Sequence, residues 1–256
     1  MILIECEQGS ADWDLARVGV ITASMFSTAR QRVNGLTSQQ QRYVDAILAG
    51  ASVTGACDIA GYKNQPRAEA IERALAGESV GEPSEAAKNY AFRLAIERIS
   101  REPLDEGFQT YAMKRGHELE PDARMEHELQ TGLIVQRAGF VMTDDYLYGA
   151  SADGLIAPDG GSEYKCLISA ERLRDVWLFN DTSDFTDQVQ GCMWITDRQW
   201  WDFCVYCPSL KPIGKQLYRR RIARDDAYIA ALQADLFAFE RMVSDYETTL
   251  RMKEAA

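Results

Sequence analysis

Three residues in the second half of the sequence have the types and the spacing of a metal-dependent hydrolytic site. Asp153 lies in the segment SADG, and Glu163 and Lys165 follow after the turn-forming segment PDGG. If 153–157 and 162–167 pair as a hairpin, Asp153 comes near Glu163, and Glu163 and Lys165 share one face because they are two positions apart on a strand. Carboxylate oxygens suit Mg²⁺, which polarises a phosphodiester, and the lysine can orient or deprotonate the attacking water. A salt-bridge cluster on a solvated hairpin would use the same residues, so the spacing alone leaves both interpretations open.

The elements that must position these residues are predicted from apolar periodicity and from turn and capping signals. The first half of the chain predicts a strand at MILIE, a short helix at ITASMFSTARQR, and helices over 37–50, 66–76, 84–100 and 108–130. The second half predicts five strand segments: LIVQRAGFVM, YLYGASADGLIA, SEYKCL, WWDFCVY and KQLYRRRI. It also predicts short helices over 169–179 and 185–195 and a long C-terminal helix, which carries an apolar stripe from Ile229 to Tyr246. This order indicates an α/β or α+β fold in a single domain, 1–256, with an insertion at about 37–83.

One face of the predicted helix 108–130 carries a carboxylate that can join the site. Residues at spacings of three and four share a helix face, and this face holds Met113, Gly116, Glu120, Ala123 and His127. We expect His117 to be structural and His127 to lie on the helix surface.

The composition is that of an ordinary water-soluble chain, and its charge argues mildly against nucleic acid. The 256 residues carry a net charge of −11, and no apolar run is long enough to span a bilayer. A local basic surface is still sufficient for DNA binding, because the field follows the local arrangement of charges. The six cysteines are scattered and are expected to be reduced and packed, with Cys204 and Cys207 in one strand-like run. A cytoplasmic location is expected.

Five sequence blocks resemble, in the same order, those of the bacteriophage lambda exonuclease or YqaJ-type viral recombinase family. The blocks are QGSADWDLARVGVITAS, RGHELEPDAR, SADG with EYKC, TDQVQGCMWIT and WWDFCVYCP. They cover nearly the whole chain except about 37–83. The resemblance implies a PD-(D/E)XK restriction-endonuclease-like core, in which helices flank a central mixed sheet. One departure is Ala152, which stands where the family's motif has proline.

The resemblance also implies an activity and its partners. The expected activity is that of a Mg²⁺-dependent (or Mn²⁺-dependent) 5′-to-3′ exonuclease on linear double-stranded DNA, with two-metal hydrolysis of the phosphodiester. It would release mononucleotides and leave a 3′ overhang for recombination by strand annealing. The expected assembly is a homotrimeric ring that delivers the overhang to a single-strand annealing protein. Such a protein would be encoded by a phage or prophage and would work in the cytoplasm of the bacterial host.

Residue roles follow from the same resemblance. Asp153 and Glu163 are implied as metal ligands, together with the backbone carbonyl of Tyr164. Glu120 is implied to complete the acidic site, directly or through water. Lys165 is implied to act on the attacking water, with Gln188 supporting the site. The remaining implied roles are a pocket for a 5′-terminal phosphate and a wedge that splits the terminal base pair: Arg17, Ser24 and Ser151 for the pocket, and Met113 for the wedge.

Simpler interpretations of these residues stay open. Arg17 could form a surface salt bridge, Ser24 could only cap a helix, and Met113 could belong to the core. Arg219, Arg220, Arg221 and Arg224 form a basic run that would either contact DNA or lie on a solvated strand edge. A structure- or sequence-specific PD-(D/E)XK endonuclease and a non-catalytic DNA-end-binding recombination protein are the alternative functions.

Overall fold

The computed structural model describes residues 1–78, 80–104 and 111–252, which form two compact units. The larger unit contains Met1–Ser27 and Ala91–Ala256, and the smaller one contains Thr28–Tyr90. Because both units mix helices with short strands, the predicted α/β class is confirmed. In these ranges, no helix is long and apolar enough to cross a membrane.

The strands and helices of the described residues are numbered in chain order. The strands are β1 (Ile2–Ile4), β2 (Ile21–Thr22), β3 (Arg32–Val33), β4 (Glu82–Pro83), β5 (Val135–Gln136), β6 (Phe140–Met142), β7 (Tyr148–Ala150), β8 (Gly154–Ile156), β9 (Gly160–Lys165), β10 (Trp200–Tyr206) and β11 (Leu217–Ala223). The helices are α1 (Ala11–Ala16), α2 (Phe26–Ala29), α3 (Ser38–Leu48), α4 (Val53–Ala60), α5 (Glu69–Leu75), α6 (Glu85–Ser100), α7 (Tyr111–Thr131), α8 (Ala170–Phe179), α9 (Thr186–Thr196) and α10 (Asp226–Met252).

A five-stranded sheet in the order β11-β10-β9-β8-β5 positions the predicted chemistry. β8 and β9 are antiparallel, with Gly154 opposite Ser162, so the predicted hairpin is confirmed. β9 runs parallel to β10, with Glu163 opposite Phe203. Since side chains alternate along a strand, Glu163 and Lys165 occupy one face of β9 and Tyr164 occupies the other.

A second sheet, in the order β1-β6-β7-β2, supports the N-terminal segment. β2 and β7 are parallel, with Ile21 opposite Tyr148 and Thr22 opposite Gly149. The carboxyl ends of parallel strands meet at the same edge, so the residues that follow these two strands are close together.

Helices cover both faces of the strand that carries Glu163. α7 bonds to the Tyr164 side through His127, and α9 bonds to the Glu163 side through Gln188. α10 packs along the larger unit through the predicted apolar stripe, whose buried members are Ile229, Leu232, Leu236, Phe239 and Val243. The mixed sheet flanked by helices is therefore present as the resemblance implied.

One predicted helix is shorter than the segment assigned to it. The segment ITASMFSTARQR forms β2, a 3₁₀ turn at Ala23–Met25 and only one turn of α2. Ile21 and Thr22 are β-branched and buried, and they pair with β7 instead of starting a helix. Tertiary pairing therefore takes the first two residues of the segment, and the helical residues begin after Thr22.

The smaller unit has its own core, built from α3, α4 and α5. α3 begins with a capping box, in which the Thr37 side chain accepts from the Gln40 N–H and the Gln40 side chain accepts from the Thr37 N–H. The core consists of Tyr43, Val44, Ala46, Ala56, Cys57, Ala60 and Ile71. The predicted insertion at 37–83 lies inside this unit, and its status as an addition to the family fold stays a prediction.

The substitution Gly154→Ala tests how tightly the β8–β9 hairpin packs beside Asp153. A Cβ at Gly154 would lie 2.1 Å from Val135 Cγ1 and 2.6 Å from Ser162 Oγ. We expect Gly154→Ala to lower the free energy of unfolding by about 1–3 kcal/mol, because the packed neighbours must shift. Urea unfolding followed by tryptophan fluorescence measures this change, since all five tryptophans lie in the larger unit.

Gly116→Ala is the matched control for that measurement. Nothing lies within 4 Å of a Cβ at Gly116, which is inside α7. A helix-interior alanine should therefore raise the free energy of unfolding by about 0.5–1 kcal/mol. Equal effects of the two alanines would contradict the assigned packing.

Candidate active site

Asp153 is fixed at the start of the hairpin by backbone contacts. Its Oδ2 accepts a hydrogen bond from the Tyr164 N–H at 2.7 Å, which ties the loop before β8 to the carboxyl-terminal half of β9. Its carbonyl accepts from Arg124 Nη2 at 2.9 Å, and the same nitrogen donates to Glu120 Oε1 at 2.6 Å. Arg124 therefore brings Glu120 of α7 to the neighbourhood of Asp153, as the sequence predicted.

Glu163, Lys165 and Gln188 form a closed triangle on the opposite face of β9 from Tyr164. Glu163 Oε1 accepts from Lys165 Nζ at 2.7 Å and from Gln188 Nε2 at 2.7 Å. Gln188 Oε1 in turn accepts from Lys165 Nζ at 3.0 Å. The amide of Gln188 thus orients both the carboxylate and the ammonium group.

The electrostatics of the site favour a cation. Burial and the nearby Glu163 and Glu120 carboxylates raise the pKa of Asp153 well above its usual value, against the lowering effect of Lys165. Burial alone would lower the pKa of Lys165, but Glu163 and Asp153 outweigh it and raise that pKa. The lysine is therefore an ammonium ion at neutral pH, and the carboxylates repel one another.

The donor set fits a hard divalent cation. Glu163 is 3% exposed, and its buried Oε2 has no hydrogen-bond partner among the described residues. An unpaired buried anionic oxygen is costly unless it binds a cation. No three His, Cys, Asp or Glu side chains in the described part of the chain group closely enough to hold a metal alone. Mg²⁺ suits such a site, because it is commonly held by one or two carboxylates and keeps several waters.

The predicted phosphate residues meet at the edge where β2 and β7 end. The Trp13 Nε1–H donates to Ser151 Oγ at 2.8 Å, and the Arg17 guanidinium lies 3.8 Å from the centroid of the Trp13 ring. Ser24 is exposed, and its Oγ lies 3.4 Å from Thr22 Oγ1. The fold thus places Arg17 and Ser151 on one indole, with Ser24 just beyond β2.

A cleft of about 890 Å³ opens beside the carboxylates. Asp153, Glu120 and Arg124 line one part of it, and the chain segments 5–9 and 136–139 line most of the rest. All these residues belong to the larger unit. Because Asp153 lines the cleft, a molecule that enters it comes into contact with Asp153.

His127 corrects one expectation, since its side chain is 0% exposed instead of lying on the helix surface. Its Nδ1 lies 2.9 Å from Tyr164 Oη and its Nε2 lies 3.1 Å from Asp202 Oδ2. Trp13 joins Arg17 to Ser151, a role that its sequence block QGSADWDLARVGVITAS did not indicate. The side chain of Met113 lies outside the described part of the structure, so its wedge role stays a prediction.

The basic run of Arg219, Arg220 and Arg221 on β11 and Arg224 just after it is engaged by protein groups. Arg219 and Arg221 bond to Asp202, and Arg220 donates to the Asn180 carbonyl at 2.7 Å. Arg224 donates to Asp226 Oδ1 at 2.6 Å. These contacts engage all four guanidinium groups, but Arg219, Arg220 and Arg221 stay exposed on β11, which is the strand at one end of the sheet. The run therefore lies on a solvated strand edge, and its contact with DNA stays a prediction.

Known structures identify the class of fold. Two structures of LHK-Exo, an alkaline exonuclease from Laribacter hongkongensis, one of them in complex with dAMP, match with a TM-score of 0.67 and 25% identity, covering 94% of this chain and 96% of that one. A phage-related exonuclease from Haemophilus somnus 129PT matches with a TM-score of 0.51 and 14% identity, over 88% and 99% of the two chains. The latter similarity shows the fold alone. The fold is thus that of the alkaline exonucleases.

The family is shown by the sequence itself. Residues 12–199 match the YqaJ-like viral recombinase domain. Since this match spans more than half of the chain, the protein belongs to that family. No curated protein sequence matches the chain.

Repulsion among the carboxylates predicts that the metal-free site destabilises the fold. A carboxyl group whose pKa is higher in the folded state weakens the fold as the pH rises from the unfolded pKa through the folded one, and the loss persists at neutral pH. We therefore expect Asp153→Asn to raise the melting temperature in EDTA at neutral pH, because asparagine can still accept from the Tyr164 N–H. Differential scanning fluorimetry measures this. The exposed Asp122→Asn is the control, and a lower melting temperature for Asp153→Asn would contradict the argument.

Proposed function

We propose that the protein is a phage-type exonuclease that hydrolyses the 5′-ended strand of linear double-stranded DNA with a divalent metal ion, Mg²⁺ or Mn²⁺. The observation that carries this proposal is the buried Glu163 carboxylate. One of its oxygens is bonded to Lys165 and Gln188, and the other has no hydrogen-bond partner in the part of the chain that the structure describes. Membership of the viral recombinase family and similarity to alkaline exonucleases support a nuclease.

Each side chain of the site has a distinct part in this hydrolysis. Asp153, Glu163 and the Tyr164 carbonyl would hold the metal, with Glu120 close enough to take part directly or through water. A bound divalent ion supplies charge stabilisation at the phosphodiester and a more acidic water. Lys165 orients the attacking water and offsets the phosphate charge, and Gln188 keeps Lys165 beside Glu163.

The 5′ polarity rests on the cluster of Arg17, Ser24 and Ser151. A guanidinium group and hydroxyls suit a terminal phosphate dianion. The Ser151 Oγ accepts from the indole of Trp13, so its own proton remains to be donated to a phosphate oxygen. Trp13 also faces the Arg17 guanidinium, which limits the conformations that this side chain adopts.

The assembly is part of the same proposal. We propose a homotrimeric ring around DNA and transfer of the 3′ overhang to a single-strand annealing protein, as the family resemblance implies. A ring with its basic residues inside would reconcile a net charge of −11 with DNA binding. Release of mononucleotides in the bacterial cytoplasm belongs to this picture.

The substitution Lys165→Ala tests the proposed part of Lys165 in the hydrolysis of DNA. We expect Lys165→Ala to lower the rate of hydrolysis of linear duplex in Mg²⁺ by about 10²–10³-fold, the usual cost of losing one donor that stabilises charge in the transition state. DNA affinity, measured by fluorescence anisotropy with Ca²⁺ in place of Mg²⁺, should change far less. Asp153→Ala should abolish hydrolysis with the fold retained. Lys211→Ala removes an exposed lysine of the same unit and should behave as wild type.

The outcomes separate the candidate functions. Wild-type protein that leaves linear duplex intact in Mg²⁺ and in Mn²⁺ would refute the nuclease, and retained end binding would then indicate a non-catalytic recombination protein. Cleavage of covalently closed circular duplex would indicate a PD-(D/E)XK endonuclease, since an exonuclease needs an end.

The substitution Arg17→Ala tests the proposed 5′-to-3′ direction of hydrolysis. On duplexes labelled at the 5′ or 3′ end, wild type should release the 5′-terminal nucleotide first and should prefer a 5′ phosphate to a 5′ hydroxyl. Arg17→Ala should reduce this preference by about 10-fold or more, because a hydrogen bond to a charged group contributes about 1.5–3 kcal/mol. Arg251→Ala, which removes an exposed arginine bonded to Glu247 near the end of α10, is the control. An unchanged phosphate preference in Arg17→Ala would refute the pocket.

A further inference from the structure

A buried chain of polar side chains lies behind the candidate active site. It runs from the Tyr164 hydroxyl through His127 to Asp202, with Nδ1 to Oη at 2.9 Å and Nε2 to Oδ2 at 3.1 Å. Arg221 donates to Asp202 through Nε and Nη2, each at 2.9 Å, and Arg219 Nη1 lies 3.3 Å from Asp202 Oδ1. His127 and Asp202 are both 0% exposed. The chain joins α7, β9, β10 and β11, and the proposed chemistry does not use His127, Asp202 or the arginines.

The direction of the hydrogen bonds in this chain is determined by Asp202. Burial alone would raise the pKa of Asp202, but its bonds to Arg221 and His127 and the charge of Arg219 outweigh burial and lower it. An ionised carboxylate only accepts hydrogen bonds, so His127 Nε2 carries a proton and donates it. In the tautomer that carries its proton on Nε2, Nδ1 is the acceptor, and it lies 2.9 Å from the Tyr164 hydroxyl. Each donor therefore has one acceptor, which fixes the orientation of both rings.

Tyr164 is the residue through which this chain reaches the site. Its N–H holds Asp153 Oδ2 at 2.7 Å, and its neighbours on the strand are Glu163 and Lys165. The aromatic ring packs on the opposite face, in a cluster with Ala123, Cys204, Tyr206 and Leu217. Any rotation of the strand about its axis would therefore move the phenol on one face and the carboxylate on the other.

The functional half of β9 has a strand neighbour on one side only. In the described ranges, β8 pairs with Gly160, Gly161 and Ser162 and stops there. β10 pairs with β9 as far as Lys165. On the β8 side, residues 163–165 are held by the contact of the Tyr164 N–H with Asp153. A second anchor, on the side chain of Tyr164, would restrict the remaining freedom of this segment.

We propose that His127 is a positioning residue of the metal site and that it acts through Tyr164, a proposal that rests on the metal-dependent function above. The hydrogen bond to Tyr164 holds the peptide groups of this residue in the orientation that suits a divalent cation at Asp153 and Glu163. Asp202, held by Arg219 and Arg221, keeps the His127 ring in place. A purely structural role for the chain would change the stability of the protein and leave its metal affinity unchanged.

Tyr164→Phe tests the proposal, because it removes one hydroxyl and retains the packed ring. The readout is the Kd for Mn²⁺ without DNA, measured by isothermal titration calorimetry, with the Mg²⁺ concentration for half-maximal hydrolysis as a second measurement. We expect both values to rise about 10-fold, the lower end of what loss of an outer hydrogen bond costs a metal site. Tyr206→Phe is the matched control, since Tyr206 belongs to the same cluster, and it should leave both values unchanged.

A double variant, Tyr164→Phe with His127→Gln, distinguishes the loss of one shared hydrogen bond from a general loss of stability. Gln at 127 can place an amide near the Nε2 position and keep a bond to Asp202, but it leaves the Tyr164 hydroxyl without its acceptor. His127→Gln should therefore weaken Mn²⁺ binding as much as Tyr164→Phe does. The combination of both should weaken it no further, because both remove one interaction.

The possible results decide the two proposals separately. An unchanged Kd for Mn²⁺ in Tyr164→Phe overturns the positioning role, whatever happens to the melting temperature, and so do additive effects in the double variant. Wild type that binds Mn²⁺ without cleaving DNA refutes the proposed function only, and the Kd values still decide the role of His127. Wild type that binds no Mn²⁺ overturns both.

Discussion

The rest of this structure depends on the buried carboxylate of Glu163 and on the groups that contact it. One of its oxygens is shared by Lys165 and Gln188, and the other has no partner among the described residues. A buried anion with an unpaired oxygen lowers the stability of the fold unless a cation binds to that oxygen. The same negative charge raises the pKa of both Asp153 and Lys165. Stability is thus given up locally, as at other sites where function requires strained or repelling groups.

The alternation of side chains along β9 divides the support of this site into two parts. α9 reaches the charged face through Gln188, and α7 reaches the other face through His127. The first contact orients the Glu163 and Lys165 side chains themselves. The second fixes the strand from behind, through an aromatic ring and a buried carboxylate. Both contacts bear on the same three consecutive residues, 163–165.

The candidate phosphate pocket has a different structural origin. The parallel pairing of β2 with β7 brings together two segments that are far apart in the chain. Trp13 then joins Ser151 by a hydrogen bond across 138 residues and lies against Arg17. One indole therefore sets the relation between the groups proposed to recognise the DNA end. The acidic site and the phosphate pocket both lie in the larger unit, which has a core separate from that of Thr28–Tyr90.

By itself, the sequence determined the local parts of this protein: the β8–β9 hairpin, the shared face of Glu163 and Lys165, the capped helix α3, and the family. These follow from short-range periodicity, turn chemistry and block order, which the amino-acid types encode directly. Only the tertiary structure decided that Ile21 and Thr22 form a strand, that His127 is buried, and that the arginines of β11 are engaged. His127 meets Asp202 across 75 residues, and no local pattern specifies such a partner. The free energy of these contacts depends on burial and pairing, which exist only after distant segments have packed together.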